Sequence, residues 1–254
     1  PCQAGMAIAP AAAQNVVPWV FERGGKYADI VHSDADLAAV ENDVRWGIYV
    51  NAGHVGSAMS RVIVHYSIHD ELVERMTSVA KSLKVGPGID QPEFGATMGS
   101  MVSDAQRDRA LGMISEAIQQ GASLATGGHK PNIPGAFLEP TILTDVTADM
   151  NIAQDEVFGP VLSVLKFSDD AQAVEIANGT PYGLVSGVFT KDLDRATHAA
   201  SQLRAGQVFV NEWYAGGVET PFGGYGKSGY GREKGREALW NYVQTKNIAI
   251  RLKD

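Results

Sequence analysis

The sequence predicts an α/β protein built on an open parallel sheet, and three observations carry that prediction. Val161–Phe167, Val185–Thr190 and Gln207–Asn211 are short apolar or β-branched runs. Asp169–Ala177 and Asp192–Leu203, which lie between them, carry helical spacing, and the links are short. Strands that alternate with helices through short links pair in parallel, with right-handed crossovers.

The first half reads in the same way, less regularly. Pro18–Phe21 and Tyr27–Val31 are expected as short strands around the Gly24-Gly25 turn. Asp36 can cap a helix running through Val40, Val44 and Ile48, because its short carboxylate can accept the free amides of a first turn. Arg61–Tyr66 follows as a strand and Asp70–Leu83 as a helix with Leu72, Val73, Met76 and Val79 on one face. Val85–Ser100 holds Gly86, Pro87, Gly88, Pro92 and Gly95 and reads as a long loop. Asp104–Gln120 is expected to be helical, with Leu111, Ile114 and Ile118 at core spacing and Gly121 ending it. Tyr242–Leu252 alternates as a terminal strand would, and such a strand leaves a polar edge that needs a partner.

Composition narrows the function. The 254 residues suffice for one large domain or two small ones. A net charge of -8 gives no general attraction for phosphate backbones or anionic membranes, so nucleic acid is not an expected partner. No run approaches the roughly 18 apolar residues of a membrane span. The apolar start, Ala4–Phe21, is broken by Pro10, Gln14, Asn15 and Pro18, and no basic region precedes it, so it does not read as a signal peptide. The single cysteine, Cys2, can form neither an internal disulfide nor a thiolate cage, which predicts a reducing, cytoplasmic setting. Of the six histidines only His65 and His69 stand at ligand spacing, and they straddle a strand-to-helix turn, so no metal is expected.

Four segments set glycine or proline beside polar or aromatic residues. They are Phe21–Lys26, Asn51–Ala58, Asp155–Pro160 and Pro221–Glu233. Clustered glycines allow a backbone to turn sharply or lie close to a ligand, and sheets of this class bind ligands beyond the carboxyl ends of their strands. Read singly, each segment is equally a turn, Glu22 and Glu156 equally surface carboxylates, and Phe158 and Phe222 equally core.

Together and in order, they resemble the aldehyde dehydrogenase superfamily. Glu22-Arg23-Gly24-Gly25-Lys26 matches its Glu-x-Gly-Gly-Lys box, and Glu156-Val157-Phe158-Gly159-Pro160 its Glu-x-Phe-Gly-Pro box. Pro221-Phe222-Gly223-Gly224 with Ser228-Gly229-Tyr230-Gly231-Arg232-Glu233 matches its last box. The resemblance covers the whole chain but only about the C-terminal half of a family member. It implies an aldehyde dehydrogenase-like catalytic domain over residues 27–241, a remnant of a cofactor-binding domain over 1–26, and an oligomerisation tail strand over 242–254. It also implies oxidation of a small aldehyde to an acid with NAD or NADP. By the same resemblance Glu22 is the general base, Glu156 holds the nicotinamide ribose, and Phe158 lies near the nicotinamide. Gln106 and Gly5 contribute cofactor contacts, Phe222 walls the aldehyde tunnel, and Asn211 precedes the loop at its mouth.

The departures change the expected function. The family's Gly-Gln-x-Cys nucleophile box reads Gly53-His54-Val55-Gly56 here, so glycine stands at the cysteine position. Attack on a carbonyl needs a thiolate, and the covalent step is expected to be absent. Arg23 and Tyr27 replace a typical apolar residue and a typical serine, and both are expected to alter access to Glu22. A catalytic fragment inactive as this chain is therefore the first expectation, with a homo-oligomer through 242–252 or a separate N-terminal half as partner. An ester hydrolase is the alternative, with Ser57 as nucleophile, His54 one helical turn before it and no cofactor. A non-catalytic, oligomerising pseudoenzyme is a third. Ser78 and Lys81 share the Ser-x-x-Lys spacing of penicillin-recognising hydrolases but fall within an amphipathic helix, and read as chance.

Overall fold

The computed structural model describes residues 2–90 and 97–252. The apolar start is helical: α1 (Cys2–Gln14) carries Pro10 inside it. The expected strand at Pro18–Phe21 shrinks to β1 (Phe21–Glu22), which pairs antiparallel with Gly229–Tyr230. The proline ahead of it has no N–H to add to a ladder.

Next come β2 (Ala28–Val31) and α2 (Leu37–Tyr49). Asp36 caps α2 by accepting the amides of Ala38 and Ala39, and Val40, Val44 and Ile48 are buried on its inner face. β3 (Arg61–His65) leads to α3 (His69–Ser82), which buries Leu72, Met76 and Val79. The expected loop after it is closed at its ends by β4 (Lys84–Val85) and β5 (Thr97–Met98), a short parallel pair. Its residues 91–96 lie outside the described residues. In α4 (Asp104–Gln119), capped by Ser103, the buried residues are Arg107, Ala110, Ile114 and Ala117. Ile118, expected in the core, is 45% exposed, because it sits about 100° around the helix from Ala117.

Three short elements follow that the sequence pattern did not announce: β6 (Ser123–Thr126), β7 (Thr141–Thr144) and α5 (Asn151–Gln154). β6 is polar and half-exposed, and its role depends on β7 beside it. The remaining elements stand close to their expected bounds. They are β8 (Val161–Phe167), α6 (Asp170–Asn178), β9 (Val185–Phe189), α7 (Leu193–Gln202) and β10 (Gln207–Val210), while the last strand, β11 (Gly229–Tyr230), falls in a box where no strand was expected. Asp169 and Asp192 cap α6 and α7 with their side chains.

Seven strands form the main sheet in the order β10-β9-β2-β3-β8-β7-β6, parallel except for the antiparallel β6. The α/β prediction therefore holds. The consecutive strands β8 and β9 are not neighbours in space, however, because β2 and β3 stand between them. Those two strands are almost wholly buried, with Asp29 and Arg61 buried among apolar residues, which suits the centre of a sheet covered on both sides. Residues of α2 and α3 share one core with Trp213, and residues of α4, α6 and α7 share the other.

The tail does not form its expected strand within the chain. Residues 243–252 have no ladder partner, and Ile248, Ile250 and Leu252 are 73%, 77% and 86% exposed. An extended segment becomes a strand only when another backbone takes up its amides and carbonyls. Among the described residues no helix is long and apolar enough to cross a membrane.

Candidate active site

The glycine-rich segments gather at the amino ends of the parallel strands, the reverse of the expected placement. Glu22–Lys26 leads into β2, Asn51–Ser60 into β3 and Asp155–Pro160 into β8. Gly25, Gly53, Val55, Glu156, Phe158 and Gly159 border one small hollow of about 10 Å³. Ser228 ties the last segment to the first: its hydroxyl donates to Gly24 O and accepts from Gly183 N, both at 3.0 Å. A larger hollow of about 660 Å³ lies elsewhere, between β8, α6 and residues 145–148, and contains none of the expected site residues.

Glu22 pairs through its backbone with Gly229 in the β1–β11 ladder. Its carboxyl pKa is pushed up to about 7, first by partial burial, then by the charge of Glu233 and a hydrogen bond with it; Lys234 opposes the shift. A carboxyl poised there can take a proton from water near neutral pH. Arg23 and Tyr27, expected to alter access to Glu22, pack on other neighbours. The Arg23 side chain lies against Gly5 and its guanidinium stands 4.9 Å from the Phe21 ring centre. The Tyr27 ring covers Gly25.

The nucleophile segment turns tightly. Asn51 and Ala52 take left-handed φ of 52°, and Gly53 has φ 73° with Gly159 backbone where a Cβ would stand. Only glycine tolerates both conditions at Gly53. Gly56 is the opposite case: a Cβ built on it meets no atom within 4 Å. The cysteine position is therefore open space at an exposed backbone.

His54 Nδ1 lies 3.0 Å from Asn51 O. A carbonyl can only accept, so Nδ1 carries the hydrogen and Nε2 is left as an acceptor. Nε2 is buried without a hydrogen-bond partner, and burial lowers the ring's pKa. The ring stands edge-on to Phe158 at 5.3 Å. The Ser57 carbonyl accepts from Trp213 Nε1 at 3.1 Å, and the Ser57 side chain hydrogen-bonds toward Tyr214. Among the described residues no hydrogen bond joins Ser57 to His54. The segment is a 3₁₀ turn over Val50–Gly53 followed by a bend, and not the single helical turn that would stack the two.

Glu156 and Phe158 stand together on the segment before β8. Glu156 Oε1 accepts from Gly25 N at 3.0 Å, and burial raises the carboxyl pKa against the opposing pull of that amide, Lys26 and Arg109. Phe158 holds a left-handed φ of 56°, a strained conformation for a bulky residue. α4 supplies the restraint. Gln106 Nε2 donates to Val157 O at 2.9 Å and Phe158 O at 3.0 Å, and Arg109 donates to Val157 O and Glu156 O. A carboxylate beside an aromatic ring suits a sugar diol joined to a planar heterocycle, so the donor set fits a nicotinamide nucleotide.

Phe222 is joined to Glu233 by a two-bond backbone bridge, and Lys234 Nζ lies 5.3 Å from its ring centre. Asn211 is not brought to the cluster. It lies at the carboxyl end of β10, where its amide donates to Thr190 O and accepts from Thr190 N, both at 2.9 Å. Sequence reasoning missed Glu233, Arg109, Trp213 and Tyr214. Glu233 and Arg109 had readable signals, one inside a quoted box and the other one turn beyond Gln106. Trp213 and Tyr214 had none, since only the return of the 212–220 segment across α2 brings them to Ser57. Among the described residues no cluster of three or more His, Cys, Asp or Glu could hold a metal ion.

The sequence profile of the aldehyde dehydrogenase family matches residues 2–248. An aldehyde dehydrogenase of Emericella nidulans is 41% identical over 254 residues, covering 98% of this chain and 50% of the relative. A betaine aldehyde dehydrogenase of Brucella anthropi is 39% identical over 252 residues, covering 98% and 51%. Among solved structures, a Staphylococcus aureus betaine aldehyde dehydrogenase in complex with NAD+ matches with TM-score 0.91 at 36% identity, over 97% of this chain and 49% of that one. An NAD+ complex of a Bacillus cereus aldehyde dehydrogenase matches with TM-score 0.94 at 37% identity, over 99% and 51%. The chain thus spans about half the length of the relatives it matches. With the boxes in order, the sheet superposed and the profile matched almost from end to end, the chain belongs to the aldehyde dehydrogenase family.

Proposed function

We propose that this chain carries the base and cofactor-facing residues of NAD(P)-dependent aldehyde oxidation but lacks its covalent step. The observation that carries the reading is the open, exposed Gly56 at the nucleophile position. Oxidation through an enzyme-bound adduct needs a thiolate there, and a hydrogen atom cannot attack a carbonyl. A dinucleotide, when bound, supplies the hydride acceptor. Glu156 would hold its nicotinamide ribose and Phe158 would lie near the nicotinamide, on a segment that Gln106 and Arg109 keep in place. Glu22, raised toward neutrality, would take the proton of the deacylating water, and Phe222 would wall the aldehyde. Self-association is part of the reading: β10 is an edge strand and the tail 243–252, with Ile248, Ile250 and Leu252 exposed, has no ladder partner within the chain, which together support strand exchange between copies.

The test is hydrolysis of p-nitrophenyl acetate, which exercises the acyl half of the cycle without a cofactor. The chain itself and its Ser57→Ala variant are expected to stay at the buffer rate. Gly56→Cys is expected to release a burst of p-nitrophenol, with turnover that Glu22→Gln slows. Turnover by the unaltered chain that Ser57→Ala abolishes would overturn this reading in favour of a hydrolase.

A further inference from the structure

The hollow of about 660 Å³ beside β8 and α6 lies apart from the glycine-rich boxes. It forms where two parallel strands end unequally. The ladder between β7 and β8 reaches only Leu143 and Ser163, while β8 continues to Phe167. Asp145 turns the chain out of β7 with a left-handed φ of 54°, a conformation that aspartate adopts more readily than most residues. Residues 145–148 and 164–166 wall the hollow on two sides. Gln172, Glu175, Ile176 and Gly179, spaced three and four apart along α6 and its cap, wall it on the third. Open parallel sheets bind ligands outside the carboxyl ends of their strands. The boxes leave that end of the sheet free, because they gather at the amino ends.

The volume is that of a small-molecule pocket, and Val146, Leu165 and Ile176 give it an aliphatic lining. Its charges do not balance. Lys166 Nζ stands 3.3 Å from Asp145 Oδ1, so the lysine is already matched. Glu175 has no ion-pair partner among the described residues. Asp149 adds a second carboxylate beside the rim, where it accepts the hydroxyl of Thr147. The surplus charge around the opening is therefore negative, above an apolar lining. We propose that this hollow binds a small amphiphilic cation, a hydrocarbon body carrying one ammonium group. The body would rest on Val146, Leu165 and Ile176, and the ammonium would meet the carboxylate of Glu175. The proposal does not rest on dehydrogenase activity.

The test is a titration of the ¹⁵N-labelled chain with three molecules of one shape, phenylbutylamine, phenylbutanol and phenylbutyrate, read from its amide resonances. The amine is expected to shift residues 145–148, 164–166 and 172–179 and to saturate. The acid is expected to bind the same segments about fivefold more weakly, with the alcohol between them, because an exposed carboxylate favours one charge and repels the other by a few-fold each. Glu175→Gln, an exposed change on α6, is expected to bring the amine's affinity down to that of the alcohol. Three outcomes each overturn the proposal: no shifts in those segments with the amine, an acid that binds as tightly as the amine, or a preference for the amine that survives Glu175→Gln.

Discussion

The carboxylate of Glu156 fills the space that a side chain at Gly24 would need, while its Oε1 accepts the amide hydrogen of Gly25. The two segments are 131 residues apart in the chain, so this contact joins two of the glycine-rich boxes. Gly24→Ala is expected to push Glu156 off the Gly25 amide and to destabilise the chain by about 1–3 kcal/mol. Urea unfolding measures it; an unchanged midpoint would show that the carboxylate swings away freely.

Glu22 and Glu233 form an acidic pair with Lys234 beside it. Removing the neighbouring negative charge in Glu233→Gln is expected to lower the Glu22 titration midpoint from about 7. Removing the cation in Lys234→Met is expected to raise it. A ¹³C-detected titration of the glutamate carboxyls reads both shifts, and a midpoint that ignores both variants rules out the pair. The raised value also sets the sign for folding. Stability tied to Glu22 is complete below its ordinary value of 4.5 and is lost as pH rises to about 7.

Asp29 sits on the middle of β2, fully buried against Trp213 and Gly187, and neither carboxyl oxygen has a hydrogen-bond partner. Burial, and secondarily Asp43, raise its pKa well above the ordinary 3.8. The stability it carries is whole below that value and is lost as pH climbs through the folded-state pKa. Asp29→Val, close in volume and suited to a strand, is expected to add about 1–3 kcal/mol at pH 7. The gain should shrink as pH falls toward 4. Equal urea midpoints for the two chains at pH 7 would contradict it.

Gln106 holds Phe158 in its left-handed conformation from α4. Gln106→Leu removes two hydrogen bonds to that segment and is expected to cost about 1–2 kcal/mol locally. Amide exchange over 156–160 is expected to quicken by about tenfold or more, while β2 and β3 keep their protection. Uniform exchange across the chain, or none gained at 156–160, would disprove the clamp.

Much of this architecture could be read residue by residue. Asp36 accepts the amides of Ala38 and Ala39, as its position implies, and Val161–Phe167 is a strand over its whole expected length. Such features depend on a few adjacent residues and on a periodicity of two or 3.6. The order of the boxes and the glycine at position 56 were also plain, because they are matters of residue type. Ile118 shows where periodicity stops: the pattern marks an apolar face, but the packing partner chooses which neighbour of Ala117 turns inward.

Chain order alone did not reveal which strands would meet. β2 and β3 come between β8 and β9 because residues far apart in the chain share a buried sheet centre. The tail reads as a strand yet has no ladder within the chain, since a strand exists only with a partner. The same reason governs the chemistry. The acidity of Glu22 and the lowered basicity of Lys26 come from neighbours and lost water, namely Glu233 for one and Arg61 for the other. Residue types and local conformation are written along the chain, whereas solvation and charge at a site are properties of the folded surroundings.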